Sequence, residues 1–159
     1  NITTEGFGDM AFELFPETAP ITAENFARTA ESGFYDGLAW CRIVKDYVIQ
    51  AGSPDNDIMT DSDWHITGEF EENGIPNPIP HRRGAISMAR DDGYDTAGTQ
   101  FFVVHRDAPK LDGRYAAFGQ MVSGFDVLDR IAELPTHGPE TWNKPVVMPV
   151  MTRVQIVRD

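Results

Sequence analysis

The chain has 159 residues, with 13 lysines and arginines against 25 aspartates and glutamates, a formal net charge of −12 and a pI of about 4.6. Its length predicts a single domain, residues 1–159, able to bury ~70% of the surface that the unfolded chain exposes, and its negative charge disfavours nucleic-acid and anionic-membrane partners. One cysteine excludes an intramolecular disulfide, and no apolar run approaches the ~20 residues of a membrane span.

The first part of the sequence predicts a strand, a helix and two further strands. Residues 10–15 (MAFELF) alternate as a strand does. A helix is predicted next, with Pro20 near its start, Thr22 as the candidate N-cap and Gly33 as its end. Its apolar stripe consists of Ala23, Phe26, Ala27 and Ala30. Residues 40–50 predict two short strands that are broken at positions 45–46.

The next stretch, residues 53–82, is rich in proline and carboxylates and predicts a long irregular excursion, a kind of loop that usually carries function. The remaining predicted strands are residues 84–89, 100–104, 115–118 and 152–157, with a further strand starting at 146–147. A second helix is expected between Gly124 and Pro135, and its apolar stripe consists of Phe125, Leu128, Ile131 and Ala132.

The predicted elements are many short strands and two separated helices. Strands do not alternate regularly with helices, so a parallel sheet built from strand–helix–strand units is disfavoured. An antiparallel barrel or sandwich whose open ends are covered by two helices fits the element order better.

Nucleophilic and metal chemistry find little support. Ser87 lies in GAISMA, which lacks the second glycine of a nucleophile elbow, and Cys41 reads as a small buried hydrophobe. The histidines at positions 65, 81, 105 and 137 are scattered. The carboxylates of residues 55–63 lack the glycine and later glutamate of a calcium loop, so they indicate a solvated acidic loop that either solubilises the protein or selects basic clients. We expect no metal and no cofactor.

Three polar side chains, Arg42, Gln50 and Gln100, are embedded in apolar strand sequence. One interpretation is structural, because an arginine in a barrel wall can pair with a carboxylate and glutamines can satisfy strand edges. The other is a ligand site, because residues 47–48 and 101–102 would place apolar walls beside these polar groups.

The segments that contain these residues resemble the cyclophilin family of peptidyl-prolyl cis–trans isomerases, in its bacterial branch. The resemblance covers nearly the whole chain. The segments that carry it are FELFPETAPITAENF (12–26), GFYDGL (33–38), WCRIVKDYVIQAG (40–52), and GAISMAR, GTQFFVV and LDGRYAAFGQMVSG between 84 and 124. It implies a closed eight-stranded antiparallel β-barrel capped by two helices, with a groove on the outer wall that binds X-Pro segments.

The resemblance also implies roles for individual residues. The essential arginine of the family falls on Arg42. The remaining positions of the implied substrate site are the proline pocket (Tyr47, Val48, Phe102 and Leu111), the polar groups that hold the peptide backbone (Gln50, Arg90 and Gln100), Ala89 along the path, and Tyr115, where the family often has histidine.

Several positions depart from the family pattern. Residues 40–41 are Trp-Cys where Phe-His is common, and Tyr47 and Val48 replace Phe and Met. Lys110 stands where the family has the tryptophan linked to tight cyclosporin binding, so we expect cyclosporin to bind weakly. Arg42, Gln50, Gln100 and Phe102 are retained.

The resulting hypothesis is a monomeric prolyl isomerase that assists folding and acts on proline-containing peptides or unfolded client proteins. The alternative is a proline-peptide-binding module of the same fold with little turnover. A lipocalin-like barrel with an internal ligand is disfavoured by the bulky phenylalanines 12, 26, 101, 118 and 125.

The expected location is the cytoplasm, because the single cysteine fits a reducing compartment and no signal peptide is visible. The chain begins at Asn1 rather than Met. An exported or lipid-anchored form, from which an upstream segment was removed, is therefore the alternative.

Overall fold

The computed structural model describes residues 1–159 and contains eight strands, two α-helices and three short 3-10 turns. The strands are β1 (Ile2–Thr4), β2 (Gly8–Leu14), β3 (Trp40–Val44), β4 (Val48–Ala51), β5 (Ala85–Met88), β6 (Phe101–Val104), β7 (Ala117–Ser123) and β8 (Met151–Val154). The helices are α1 (Pro20–Glu31) and α2 (Phe125–Ala132), and the 3-10 turns are Glu71–Asn73, Pro109–Leu111 and Pro139–Thr141.

All eight strands belong to one antiparallel sheet in the order β3-β4-β6-β5-β7-β2-β1-β8. The two edge strands, β3 and β8, are joined by hydrogen bonds between the segments that precede and begin them. The backbone N–H of Gly37 donates to the Met151 carbonyl at 2.7 Å, and that of Trp40 donates to the Pro149 carbonyl at 2.9 Å. These bonds nearly close the sheet and confirm the predicted eight-stranded barrel with two helices.

Both helices pack their apolar faces on the barrel, whose interior is filled by a cluster of 23 buried residues. The ring of Phe26 in α1 lies 5.1 Å from that of Phe101 and 5.2 Å from that of Phe118. From α2, Leu128 and Ile131 enter the same cluster. This packing argues against a ligand inside the barrel. None of the helices is both long enough and apolar enough to cross a membrane.

The first helix starts at Pro20, near the predicted start, but its predicted N-cap is wrong. The N-cap is Ala19 rather than Thr22, and proline is well accommodated in the first helical turn. Thr22 lies inside that turn, where its backbone N–H and its hydroxyl both donate to Oε1 of Glu69 at 2.6 Å. A carboxylate from a distant loop therefore satisfies the turn that a local cap was expected to satisfy.

Three of the strand predictions also need correction. Strand β1 was not predicted, and the strand expected at residues 115–118 starts at 117 and runs on to 123. No strand starts at 146–147, because the prolines that flank this segment, Pro145 and Pro149, lack the N–H that a ladder needs. The predicted irregular course of residues 53–82 is confirmed, apart from one 3-10 turn.

Candidate active site

Strands β4 and β6 have two apolar faces. Ile49 and Val103 point into the barrel core, whereas Val48 and Phe102, their neighbours in sequence, belong to a second cluster on the outer wall. The buried members of this outer cluster are Val48, Ala85, Phe102, Val104, Ala108 and Leu111, and Tyr47, Ala89 and Tyr115 pack at its edge. The barrel wall thus carries an apolar cup on its outside.

A β-bulge turns Arg42 toward this cup. Trp40 pairs with Ala51, but Arg42 pairs with Gln50, so the register shifts between the two β3 residues. Without the shift, Arg42 would share the inward face of Trp40, because side chains two apart on a strand point the same way. The bulge lets Trp40 and Ile43 both enter the core while Arg42 stands outside, opposite Gln50.

The cup opens into a groove of about 710 Å³. The structure places all of the site residues predicted from the sequence around this one groove: Arg42, Tyr47, Val48, Gln50, Ala89, Arg90, Gln100, Phe102, Leu111 and Tyr115. Polar residues are thereby set beside an apolar cup, which is the composition of a typical ligand site.

A directed chain of hydrogen bonds links the polar residues. Nη1 of Arg42 donates to Oε1 of Gln50 at 3.2 Å, and Nε2 of Gln50 donates to Oε1 of Gln100 at 2.9 Å. Nε2 of Gln100 then donates to the carbonyls of Ile58 and Thr60 at 3.1 and 3.2 Å. A guanidinium can only donate and a carbonyl can only accept, so both amide orientations are fixed. This series of hydrogen bonds connects the irregular segment 53–82 to Arg42.

The guanidinium of Arg42 is held by one hydrogen bond and by no ion pair. Its Nε is buried without a partner, and no protein acceptor contacts Nη2. Burial lowers the pKa of Arg42, but an arginine stays protonated at physiological pH. The groove therefore contains a permanent positive charge with donors left for a ligand.

Phe102 forms the floor of the cup and is braced on two sides. The ring of Tyr115 meets it edge-on at 5.8 Å, and the ring of His81 stacks on it at 6.0 Å. His81 is itself fixed, with Nδ1 2.9 Å from Oδ1 of Asp112 and Nε2 2.8 Å from Oγ of Ser87. Burial lowers the pKa of His81, which favours a neutral ring that donates to Asp112 and accepts from Ser87.

The hydrogen bonds that join Ser87, His81 and Asp112 have the order found in a Ser-His-Asp catalytic triad. The positions of these residues in the sequence do not indicate that they lie together. Ser87 is 0% exposed and His81 is 2% exposed, so no substrate can reach the hydroxyl. We therefore assign the three residues to support of the cup floor, and the sequence-based rejection of Ser87 as a nucleophile stands.

Arg90 and Lys110 both make cation–π contacts with tyrosine rings. Nε of Arg90 donates to the Arg114 carbonyl at 2.9 Å, and its guanidinium lies 4.8 Å above the ring of Tyr115. Nζ of Lys110 lies 4.5 Å from the centre of the Tyr47 ring. These contacts hold the two tyrosines at the rim of the cup.

Gly52 lets the chain that carries Gln100 come close to β4. It has φ of +98°, and a Cβ on it would lie 2.3 Å from the Thr99 carbonyl oxygen. Oγ1 of Thr99 donates to the Gly52 carbonyl at 2.7 Å, and the Tyr35 hydroxyl donates to the Thr99 carbonyl at 2.8 Å. Only glycine fits this approach, which sets the position of Gln100.

Sequence reasoning missed one side of the groove and one isolated residue. The missed side belongs to two polar loops and consists of Ile58, Met59, Thr60, Asp61, Ser62, Asp91, Asp92, Gly93, Thr96 and Gly98. The length of the loop at 53–82 is a signal that could have indicated the first five of these residues, 58–62. Trp142, far along the chain, also lines the groove, and nothing near it in sequence points to the site.

Comparison with known proteins gives a consistent result. Residues 1–156 match the family model described as cyclophilin type peptidyl-prolyl cis-trans isomerase. Peptidyl-prolyl cis-trans isomerase B of Bacillus subtilis is 43% identical over 115 residues, which cover 72% of this chain and 77% of that protein. A peptidyl-prolyl cis-trans isomerase of Helicobacter pylori is 40% identical over 128 residues, which cover 79% and 76%.

Solved structures of cyclophilin type peptidyl-prolyl cis-trans isomerases share the fold of this chain. The crystal structure of a Cryptosporidium parvum cyclophilin type peptidyl-prolyl cis-trans isomerase, obtained in the presence of the dipeptide Ala-Pro, superposes with a TM-score of 0.87 at 28% identity and covers 99% of this chain and 98% of that one. Some relatives are longer. The chain spans 25% of peptidyl-prolyl cis-trans isomerase-like 2 of Gibberella zeae.

Proposed function

Because this chain belongs to the family of cyclophilin-type peptidyl-prolyl cis–trans isomerases, it is a prolyl isomerase, and we propose that its reaction takes place at Arg42. The observation that carries this assignment is the geometry of Arg42, whose charged and incompletely paired guanidinium stands beside an apolar cup. The substrates are X-Pro peptide bonds.

Isomerisation needs no covalent catalysis. Rotation is slow because resonance between the amide nitrogen and the carbonyl must be lost, at a barrier of ~18–20 kcal/mol. In the twisted state the proline nitrogen becomes pyramidal and regains a lone pair. A guanidinium N–H that donates to this lone pair stabilises the twisted state alone and so lowers the barrier.

The other groove residues have supporting roles. Gln50 holds one terminal nitrogen of Arg42, which leaves Nη2 to point at substrate. The proline ring enters the cup over Phe102, Val48, Leu111 and Tyr47, so it stays fixed while the flanking chain rotates. Restricting the substrate in this way supplies part of the rate enhancement through orientation.

Some properties of the protein follow from the same picture. We propose that it acts as a monomer and a single domain on proline-containing peptides or unfolded clients. Cyclosporin should bind weakly, since Lys110, at the position of the family tryptophan, places an ammonium over the Tyr47 ring and not an aromatic wall.

The proposal is tested by NMR exchange spectroscopy on an Ala-Pro peptide, together with chemical-shift mapping on labelled protein. Catalysis predicts faster cis–trans exchange, and shifts at Arg42, Phe102 and Tyr115. Val122→Ala, an exposed change outside the groove, serves as the control and should behave as wild type. Shifts at the groove without faster exchange would identify a binding module, and shifts elsewhere would refute the site.

A further inference from the structure

Trp142 differs from the other two tryptophans of the chain. Trp40 is fully buried in the core, and Nε1 of Trp64 donates to Oδ1 of Asn25 at 2.9 Å. Trp142 is 55% exposed, lines the groove, and its indole makes neither a hydrogen bond nor a contact with another aromatic ring. A large apolar side chain is thus left open at the rim of the candidate active site.

The backbone holds Trp142 in this position. Its φ is +60° and that of Asn143 is +55°, a left-handed conformation that is uncommon for a bulky residue. The Trp142 N–H donates to the Pro139 carbonyl at 3.0 Å, and the Ile43 N–H of β3 donates to the Asn143 carbonyl at 3.1 Å. The strained turn is therefore fastened to the strand that carries Arg42, and backbone strain of this kind is concentrated at functional sites.

Trp142 and the hydrogen-bonded glutamines lie on opposite sides of Arg42. The hydrogen bonds run from β3 to β4 and on to Gln100 and the loop at Ile58, away from the edge of β3 that does not face β4. The turn that carries Trp142 is attached to that edge through the Asn143 carbonyl. A peptide whose proline sits in the cup has polar partners on one side and the indole on the other.

We propose that Trp142 is a specificity-determining residue that binds a large apolar side chain, preferably aromatic, flanking the X-Pro bond. The inference rests on the proposed function of the groove. A cationic side chain is a poorer match beside the indole, because the guanidinium of Arg42, on the strand to which the Trp142 turn is fastened, lines the same groove and carries a like charge. An aromatic residue stacks on the indole without that repulsion.

The first test compares kcat/KM for peptide pairs that carry Phe or Ala at the position after proline, or two positions before it. The wild type should prefer Phe at one of these positions by about tenfold, the factor that corresponds to ~1.4 kcal/mol. Trp142→Asn removes the indole with a residue that tolerates positive φ, and should reduce the preference to about twofold or less. Val147→Ala, 76% exposed in the same segment but outside the groove, should keep it.

A second test uses the fluorescence of Trp142 and does not depend on turnover. In Trp64→Phe protein the remaining tryptophans are the buried Trp40 and Trp142, so titration with a Phe-containing proline peptide should shift the emission of Trp142. The shift should persist when Arg42→Ala is added. If the Arg42→Ala protein loses turnover but keeps the emission shift, the roles proposed for Arg42 and for Trp142 are both supported. If it keeps full turnover, only the role of Arg42 is refuted, and the role of Trp142 is not affected.

The Trp142 proposal fails on its own terms in either of two cases. One is a Phe preference that survives in Trp142→Asn or is missing from the wild type, and the other is an emission that does not respond to saturating peptide.

Discussion

Replacement of Arg42 by alanine should lower kcat/KM for an X-Pro peptide by roughly 10- to 150-fold. Nη1 is already engaged with Gln50, so the substrate meets one remaining charged donor. A hydrogen bond to a charged group contributes ~1.5–3 kcal/mol, and each ~1.4 kcal/mol of transition-state stabilisation changes the rate about tenfold. The loss should fall mainly on kcat, because the donated bond exists only in the twisted state.

Arg42→Lys separates charge from geometry. Lysine keeps the positive charge, but its single nitrogen cannot hold Gln50 and also present a second, fixed nitrogen to substrate, so most of the activity should still be lost. Both variants are measured with a protease-coupled or NMR exchange assay. Thermal unfolding is the folding control, and it should change little because Arg42 makes only one side-chain hydrogen bond and no ion pair. An Arg42→Ala enzyme with correct folding and kcat/KM within about threefold of wild type would refute the mechanism.

Three further predictions concern the support of the site. Gly52→Ala should destabilise the protein by about 2 kcal/mol or more, roughly 4–8 °C in Tm, and lower activity, because the new Cβ meets the Thr99 carbonyl; unchanged unfolding would disprove the close approach. Since burial lowers the pKa of His81 below its usual 6.5, the unfolded state binds the extra proton, so stability is full above about pH 6.5 and falls below it until the folded pKa is passed. Urea unfolding at about pH 7.5 and 5.5 should show this decrease, and His81→Gln should make it smaller; an equal decrease in both proteins would contradict the assignment. Burial raises the pKa of the Cys41 thiol to about 11, so a thiol reagent should label the native protein slowly and the denatured protein fast, and rapid native labelling would be inconsistent with the structure.

The strands with a clear local pattern were predictable. The alternation in β2, the apolar runs of β4 and β6 and the two helical stripes are patterns of side chains within a few residues of one another. Strand β1 has only three residues, and of its two partners one, β2, is its neighbour in sequence and the other, β8, lies at the other end of the chain, with Ile2 opposite Val154. A strand of three residues is too short to show a period, and its pairing with β8 leaves no local signal. The start of α1 also depends on a distant contact, because Glu69, in another loop, accepts the hydrogen bonds of Thr22 in the first helical turn.

The resemblance supplied the list of groove residues, but not the reason why they share a face. Arg42 faces the groove only because β3 has a bulge, and residues 40–44 (WCRIV) contain no glycine that would indicate one. Trp142 reaches the groove through a tertiary hydrogen bond to β3. Such features depend on contacts between segments, so no local pattern reveals them.

The same two strands build the core and the site, on opposite faces. On β4, Ile49 packs in the barrel while Val48 and Gln50 form the groove, and on β6 Val103 and Phe102 divide in the same way. A shift of one residue in the β4–β6 register would therefore put Gln50 in the core and Ile49 in the groove, at a cost that the apolar interior makes prohibitive. Selection for a stable barrel thus also holds the groove residues in register. Substitutions at outward positions of these strands can therefore alter the groove with little effect on the core.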